Sequence, residues 1–143
     1  MKKIISIFIA SLVLVFGALY AQKTTKVPAA VKTAFAKKFP SATKVMWEKE
    51  GGNYEANWGG KGNEDHNAIF TPAGEFTESA NAIAVNKLPA NVLTYIKEHY
   101  KGAKISEAML VTDASGKTFY EAEVNKKDIV FDANGNFVKE EKE

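Results

Sequence analysis

Two hydrophobic rhythms alternate along the chain, and the alternation happens twice. Val31, Ala34, Phe35, Lys38 and Phe39 recur at i, i+3, i+4, i+7 and i+8, the spacing of an amphipathic helix with Lys32, Lys37 and Lys38 at its rim. Pro28 suits the first turn of that helix, and Pro40 stops it. The period then shortens to two. Residues 44–50 and 53–58 read as strands joined by Gly51-Gly52, because glycine supplies the positive φ that a two-residue hairpin turn needs. This turn sets Trp47 opposite Ala56, Val45 opposite Trp58 and Lys49 opposite Tyr54. Residues 66–70 and 75–82 make a third and a fourth strand around the turn Thr71-Pro72-Ala73-Gly74.

From Pro89 the same grammar starts again. Val92, Tyr95, Ile96, His99 and Tyr100 form a second helical stripe that Gly102 ends, and strands follow at 105–112, 117–124, 128–131 and 136–139. Pro28 to Pro89, Phe70 to Phe131, Gly74 to Gly135 and Phe76 to Phe137 are all steps of 61 residues. The middle falls out of step: Tyr54-Glu55-Ala56 matches Tyr120-Glu121-Ala122 at a step of 66. Constant ends with insertions in the loops mark a structural repeat. The expected fold is α+β: two tandem α-β-β-β-β repeats, about 27–82 and 88–140, in an antiparallel sheet with the helices packed on one face. Units of about 50–60 residues are marginal alone, so the two should share a core or a sheet.

Strand alternation divides the side chains between two faces. One face carries Val45, Trp47, Tyr54, Ala56 and Trp58, and should form the first unit's core with Phe35 and Phe39. Tyr120 should do the same with Tyr95 and Tyr100 in the second unit. The other face carries Met46, Glu48, Glu55 and Asn57, answered in the second unit by Glu121, Glu123 and Val130. Carboxylates among apolar spots on an open sheet face suit a protein partner. The expected partner-binding residues are therefore Met46, Glu48, Glu55, Asn57, Glu121 and Glu123.

The termini and the charge narrow the possibilities. Lys2 and Lys3, an apolar run over 4–17 and Ala18-Leu19-Tyr20-Ala21 make residues 1–21 a signal peptide, leaving an exported domain at 22–143. Taking Lys2 and Lys3 from a formal charge of +2 leaves the remainder neutral. The chain has no Arg, the residue best suited to bidentate phosphate and base contacts, and no polybasic segment. Nucleic acid is therefore not an expected partner, nor is a membrane once the signal peptide is removed. Without Cys there is no disulfide and no lipid-modified cysteine. The charged tail 139–143 should fray.

Catalytic and metal chemistry find little footing. His66 and His99 lie 33 residues apart, with no neighbour at ligand spacing. No G-x-S-x-G elbow accompanies the serines. The Gly59-Gly60-Lys61-Gly62-Asn63 stretch lacks the phosphate-loop pattern and enters a strand rather than a helix. Asp132-Ala133-Asn134-Gly135-Asn136 looks like half a calcium loop without its closing Glu, and reads as a turn. No cofactor, no metal and no enzymatic activity are expected.

The Leu/Val-Pro-Ala helix starts, the stretch VKTAFAKKFPSATKVMWEKEGGNYEANW and the closing F-x-x-x-G-x-F resemble the PepSY-like, beta-lactamase-inhibitor-like proteins. The resemblance covers about 27–140. It implies a secreted or periplasmic protein and a fold like that of the beta-lactamase inhibitory protein, whose concave sheet grips an enzyme. That inhibitor carries disulfides and this chain has no Cys, so the resemblance carries over the fold and a binding role, not beta-lactamase inhibition. The expected function is an exported, non-enzymatic, inhibitor-like binding module. It would engage an envelope or extracellular protein through its open sheet face and the 59–65 loop. The alternative is a periplasmic small-ligand or cation binder with a pocket between the units.

Overall fold

The computed structural model describes residues 25–142. The elements follow in order as α1 (Ala29–Lys38), β1 (Met46–Glu50), β2 (Asn53–Trp58), β3 (His66–Phe70), β4 (Phe76–Ala82), α2 (Ala90–His99), β5 (Ile105–Asp113), β6 (Thr118–Val124), β7 (Lys127–Asp132) and β8 (Phe137–Lys142). The order of one helix and four strands thus occurs twice. A 3-10 turn at Val85–Lys87 links the two sets. The signal peptide expected at 1–21 lies outside the described residues.

All eight strands form a single sheet in chain order, every neighbour antiparallel. Pairing of β4 with β5 makes the sheet continuous across the two halves. The first hairpin has the expected register, with Trp47 opposite Ala56 and Lys49 opposite Tyr54. Its pairing begins one residue later than expected, at Met46 and Asn57, after Lys44 takes a left-handed φ of 55° that is incompatible with a strand. Proline caps each helix from outside rather than opening its first turn: Pro28 and Pro89 have extended backbones, with ψ of 147° and 145°.

The tail does not fray at residue 139. It forms β8, where Lys127 Nζ meets Glu140 and Lys139 Nζ meets Glu141, both at 2.6 Å. The reason lies in β7, whose Ile129, Val130 and Phe131 are fully buried. A strand so placed needs a partner for its second row of backbone groups.

Each helix buries one stripe. Val31 and Phe35 of α1 pack with Tyr54, Ala56, Ala68 and Phe70. Phe35 is the hub, its ring centre 5.4 Å from Phe39, 5.2 Å from Trp47, 5.1 Å from Trp58 and 6.1 Å from Phe70. Val92 and Ile96 of α2 pack with Ala108, Ala122, Val124, Ile129 and Phe131, with Tyr95, Tyr100 and Tyr120 around them.

The closing glycines are fixed by that packing. Gly74 has φ 86°, and a Cβ there would lie 2.8 Å from the Ala30 carbonyl oxygen. Gly135, 61 residues on, has φ 78°, and a Cβ would collide with the Asn91 side chain. Asn91 itself donates to the Asn134 carbonyl at 2.7 Å. The F-x-x-x-G-x-F motif therefore marks where the turn before the last strand of each set presses on the first turn of its helix.

Candidate partner-binding face

Cross-strand partners share a face, so register assembles the candidate site from the backbone. Glu55 on β2 faces Ile69, which faces Glu78, which faces Asp113. Met109 faces Glu121, which faces Val130, which faces Lys139. Glu123 faces Asp128, which faces Glu141. A third apolar cluster, Ala80, Met109, Val111, Phe119 and Val130, lies among these residues and contains no helical side chain.

This face is less open than alternation suggested. Glu55, Glu78 and Glu121 are only 4%, 6% and 7% exposed, and Asn57 and Asp128 are buried with them. The cause is curvature. Glu78 is on β4, and Lys139 and Glu141 are on β8, four strands away. In a flat sheet that separation is about 19 Å, yet both charges bear on the Glu78 carboxyl. The strands therefore curl toward one another on this side, which shields its centre from water.

Burial sets the electrostatics. Desolvation pushes the Glu55 carboxyl up to about 7, helped by Glu48 and Glu50 and opposed by a hydrogen bond with Asn57. Desolvation also raises Glu78 to about 7; Lys139 opposes it, while Glu141, Asp113 and Glu55 add to it. Glu121 is raised well above the carboxylate range, first by burial, then by the charges of Asp128 and Glu78 and a hydrogen bond with Asp128. At neutral pH this side holds carboxyls poised between two protonation states, rather than a uniformly ionised patch.

The expected residues divide accordingly. Met46 and Glu48 stand exposed on the edge strand β1, paired with Asn57 and Glu55. Glu123 is half-buried and accepts a hydrogen bond from Ser106 Oγ at 2.8 Å. Glu121 is far from Glu55 in register, and Glu78, which feels the charge of Glu55 and itself bears on Glu121, links the two groups. Glu78 was not among the expected residues. Carrying the register two strands on from Glu55, through Ile69, identifies it.

The remaining candidates have structural explanations. The His66 ring bonds Asn81 at 2.8 Å and stacks on Trp58, and His99 stacks on Tyr95 while its Nδ1 contacts the Tyr95 carbonyl at 2.9 Å. Asp132 accepts hydrogen bonds from the backbone of Asn134 and Asn136, both at 2.9 Å. These bonds, led by the Asn136 side chain, hold it below its usual range and make a turn of the calcium-like stretch. The 59–65 loop turns through left-handed Gly59, Gly60 and Asn63, and a Cβ at Gly60 would collide with Asp65. Among the described residues no group of three or more His, Cys, Asp or Glu is placed to hold a metal ion.

The decisive comparison is at the level of sequence family. The model of beta-lactamase-inhibitor-like, PepSY-like proteins matches residues 20–64 and again 58–139. The chain belongs to this family. Solved structures share the fold. A candidate periplasmic protein from Bacteroides eggerthii superposes with a TM-score of 0.69 at 19% identity, over 80% of this chain and 88% of that one. A DUF2874 family protein from Bacteroides uniformis gives 0.67 at 19%, over 79% and 87%. A BLIP-like protein from Bacteroides fragilis gives 0.62 at 22%, over 80% and 85%. No curated protein matches the sequence. Among the described residues no helix is long and apolar enough to cross a membrane.

Proposed function

We propose that this family member is an exported, non-enzymatic binding module that engages a protein partner through the curled sheet face carrying Glu55, Glu78 and Glu121. One observation carries the reading: three carboxyls nearly sealed from water lie beside a five-residue apolar cluster that, among the described residues, includes no helical side chain. Burying like charges together costs stability, and such costs concentrate at functional sites. The reading takes both helices to share the other face. Its support is the unbroken pairing that relates Ala56 and Ala68 under α1, through Ser79 and Thr112, to Thr118, with Ala108 and Ala122 under α2 on the same face of β5 and β6 by alternation. Residues 1–21 would direct export, and the candidate periplasmic relative favours the periplasm.

Met46 and Glu48 at the exposed rim, with Asn57 and Glu55 behind them, would make first contact, while Glu121 and Glu123 would flank the apolar floor. The test is affinity capture of residues 22–143 from the organism's own envelope fraction, repeated with Met46→Asp/Glu48→Lys. Both sites are exposed, so the fold should survive. The expected result is a specific protein, lost with the double variant. Retention of every captured protein by a folded double variant would reject this face.

A further inference from the structure

We propose that a hollow at the C-terminal end of α2 binds a small amphiphilic monocarboxylate, its apolar part against Leu93 and Ile105 and its carboxylate held by Lys97 and Lys104. The hollow measures about 630 Å³ and lies between the Val85 turn, α2 and the start of β5. That volume is in the range of small-molecule sites, about 300–1,000 Å³. Val85, Leu93, Ile96 and Ile105 supply apolar wall, and among the described residues no acidic side chain lines it. Val85 is 37% exposed, one of the few large hydrophobic side chains left open. Lys97 and Lys104 are exposed, and neither enters an ion pair among the described residues. The Tyr100 hydroxyl in the wall is already committed as a donor to the Glu140 carboxylate.

The repeat provides an internal control. The two helices leave their last turn with the same geometry: Phe39 has φ −125° and ψ 63°, Tyr100 has φ −123° and ψ 58°, and each carbonyl accepts from the amide three residues on. The matching helix ends carry different chemistry. At the step of 61, Leu93 replaces Lys32, so an apolar residue stands where the first unit has a cation. Lys97 and Lys104 replace Ala36 and Thr43, so cations stand where the first unit has none. The core beside the hollow is also built of smaller side chains. Ile96 replaces Phe35, and Ala108 and Val124 take the places that Trp47 and Trp58 hold around α1. An apolar wall that also includes two exposed lysines, without ion pairs among the described residues, is complementary to a molecule with an apolar body and one anionic head. A carboxylate suits the site better than a phosphate, because the C-terminal end of α2 carries partial negative charge. There is also no Arg to grip a dianion in bidentate fashion.

The experiment titrates residues 22–143 with sodium decanoate below its micelle concentration, followed by calorimetry and by methyl NMR. Decyltrimethylammonium and decanol are parallel probes. Saturable decanoate binding is expected, with shifts centred on Leu93, Ala103 and Ile105. Lys97→Glu/Lys104→Glu should weaken it at least tenfold, and so should Leu93→Lys, which installs the residue that α1 tolerates at the matching position. Thermal melting checks that each variant is folded. The proposal is overturned if decanoate does not saturate, if decyltrimethylammonium binds as tightly, if the folded double variant retains wild-type affinity, or if the shifts map to the curled sheet face instead.

Discussion

Glu55→Gln isolates the cost of a buried carboxyl, because glutamine keeps the shape of protonated Glu and cannot ionise. In the native chain Glu55 stays protonated until about pH 7, whereas in the unfolded chain it ionises near 4.5. Between those values the native state holds more protons, so the stability contributed by the protonated carboxyl is complete below about pH 4.5 and is lost as pH rises toward 7. A displacement of that size is worth about 3 kcal/mol. This is an upper bound, since slight water access and relaxation weaken it. Against the usual total of about 5–15 kcal/mol for a domain, the effect is measurable. Urea unfolding of wild type and Glu55→Gln at pH 5, 6, 7 and 8 reads it directly. At pH 5 the two should agree within about 1 kcal/mol, and by pH 8 the variant should be the more stable by about 2–3 kcal/mol. The neighbouring Glu48→Gln should move the wild-type transition to lower pH, because removing that charge lets Glu55 ionise more easily. Parallel stability curves for wild type and Glu55→Gln from pH 5 to 8 would refute the account of this face.

Two further perturbations test the frame that holds the face. Gly74→Ala should destabilise by more than the roughly 1–2 kcal/mol of a left-handed alanine, because the new Cβ also meets the Ala30 carbonyl. Gly116→Ala, with φ 84° and open space around it, should cost only that backbone strain. Equal losses in urea titrations would mean that the turn does not press on α1. Phe35→Ala should cost about 3–5 kcal/mol, since the ring packs against four other aromatic rings. A loss below about 1.5 kcal/mol would show that the cluster collapses into the space.

The order of elements was legible because the repeat states it twice and because each turn carries its own chemistry. Gly51-Gly52 set the register that pairs Trp47 with Ala56, and Gly74 and Gly135 marked both closing turns. The tail was misread for a physical reason: Lys139, Glu140 and Glu141 look solvated in isolation, and only the buried β7 beside them makes a strand of them. The candidate face was legible in composition but not in exposure. Alternation placed Glu55 and Glu121 on the side away from Tyr54 and Ala56, but alternation is local and says nothing about curvature. A signal of curvature was nonetheless present. The runs Ala108-Met109-Leu110-Val111 and Ile129-Val130-Phe131 are apolar at successive positions, which requires cover on both faces of the sheet. Ala108, Ile129 and Phe131 of these runs pack with α2, while Met109, Val111 and Val130 lie in the third cluster. Among the described residues no helical side chain joins that cluster, so the sheet supplies part of its cover by curling, and the carboxyls interleaved with those residues are drawn in with them. The raised protonation of Glu55, Glu78 and Glu121 is then a consequence of the same apolar runs. A variant that polarises the floor, such as Val111→Thr, should relax the carboxyls toward their ordinary range without altering any carboxylate. A pH-stability curve for Val111→Thr as steep as that of wild type would separate the two features and show that the burial of the acids has some other origin.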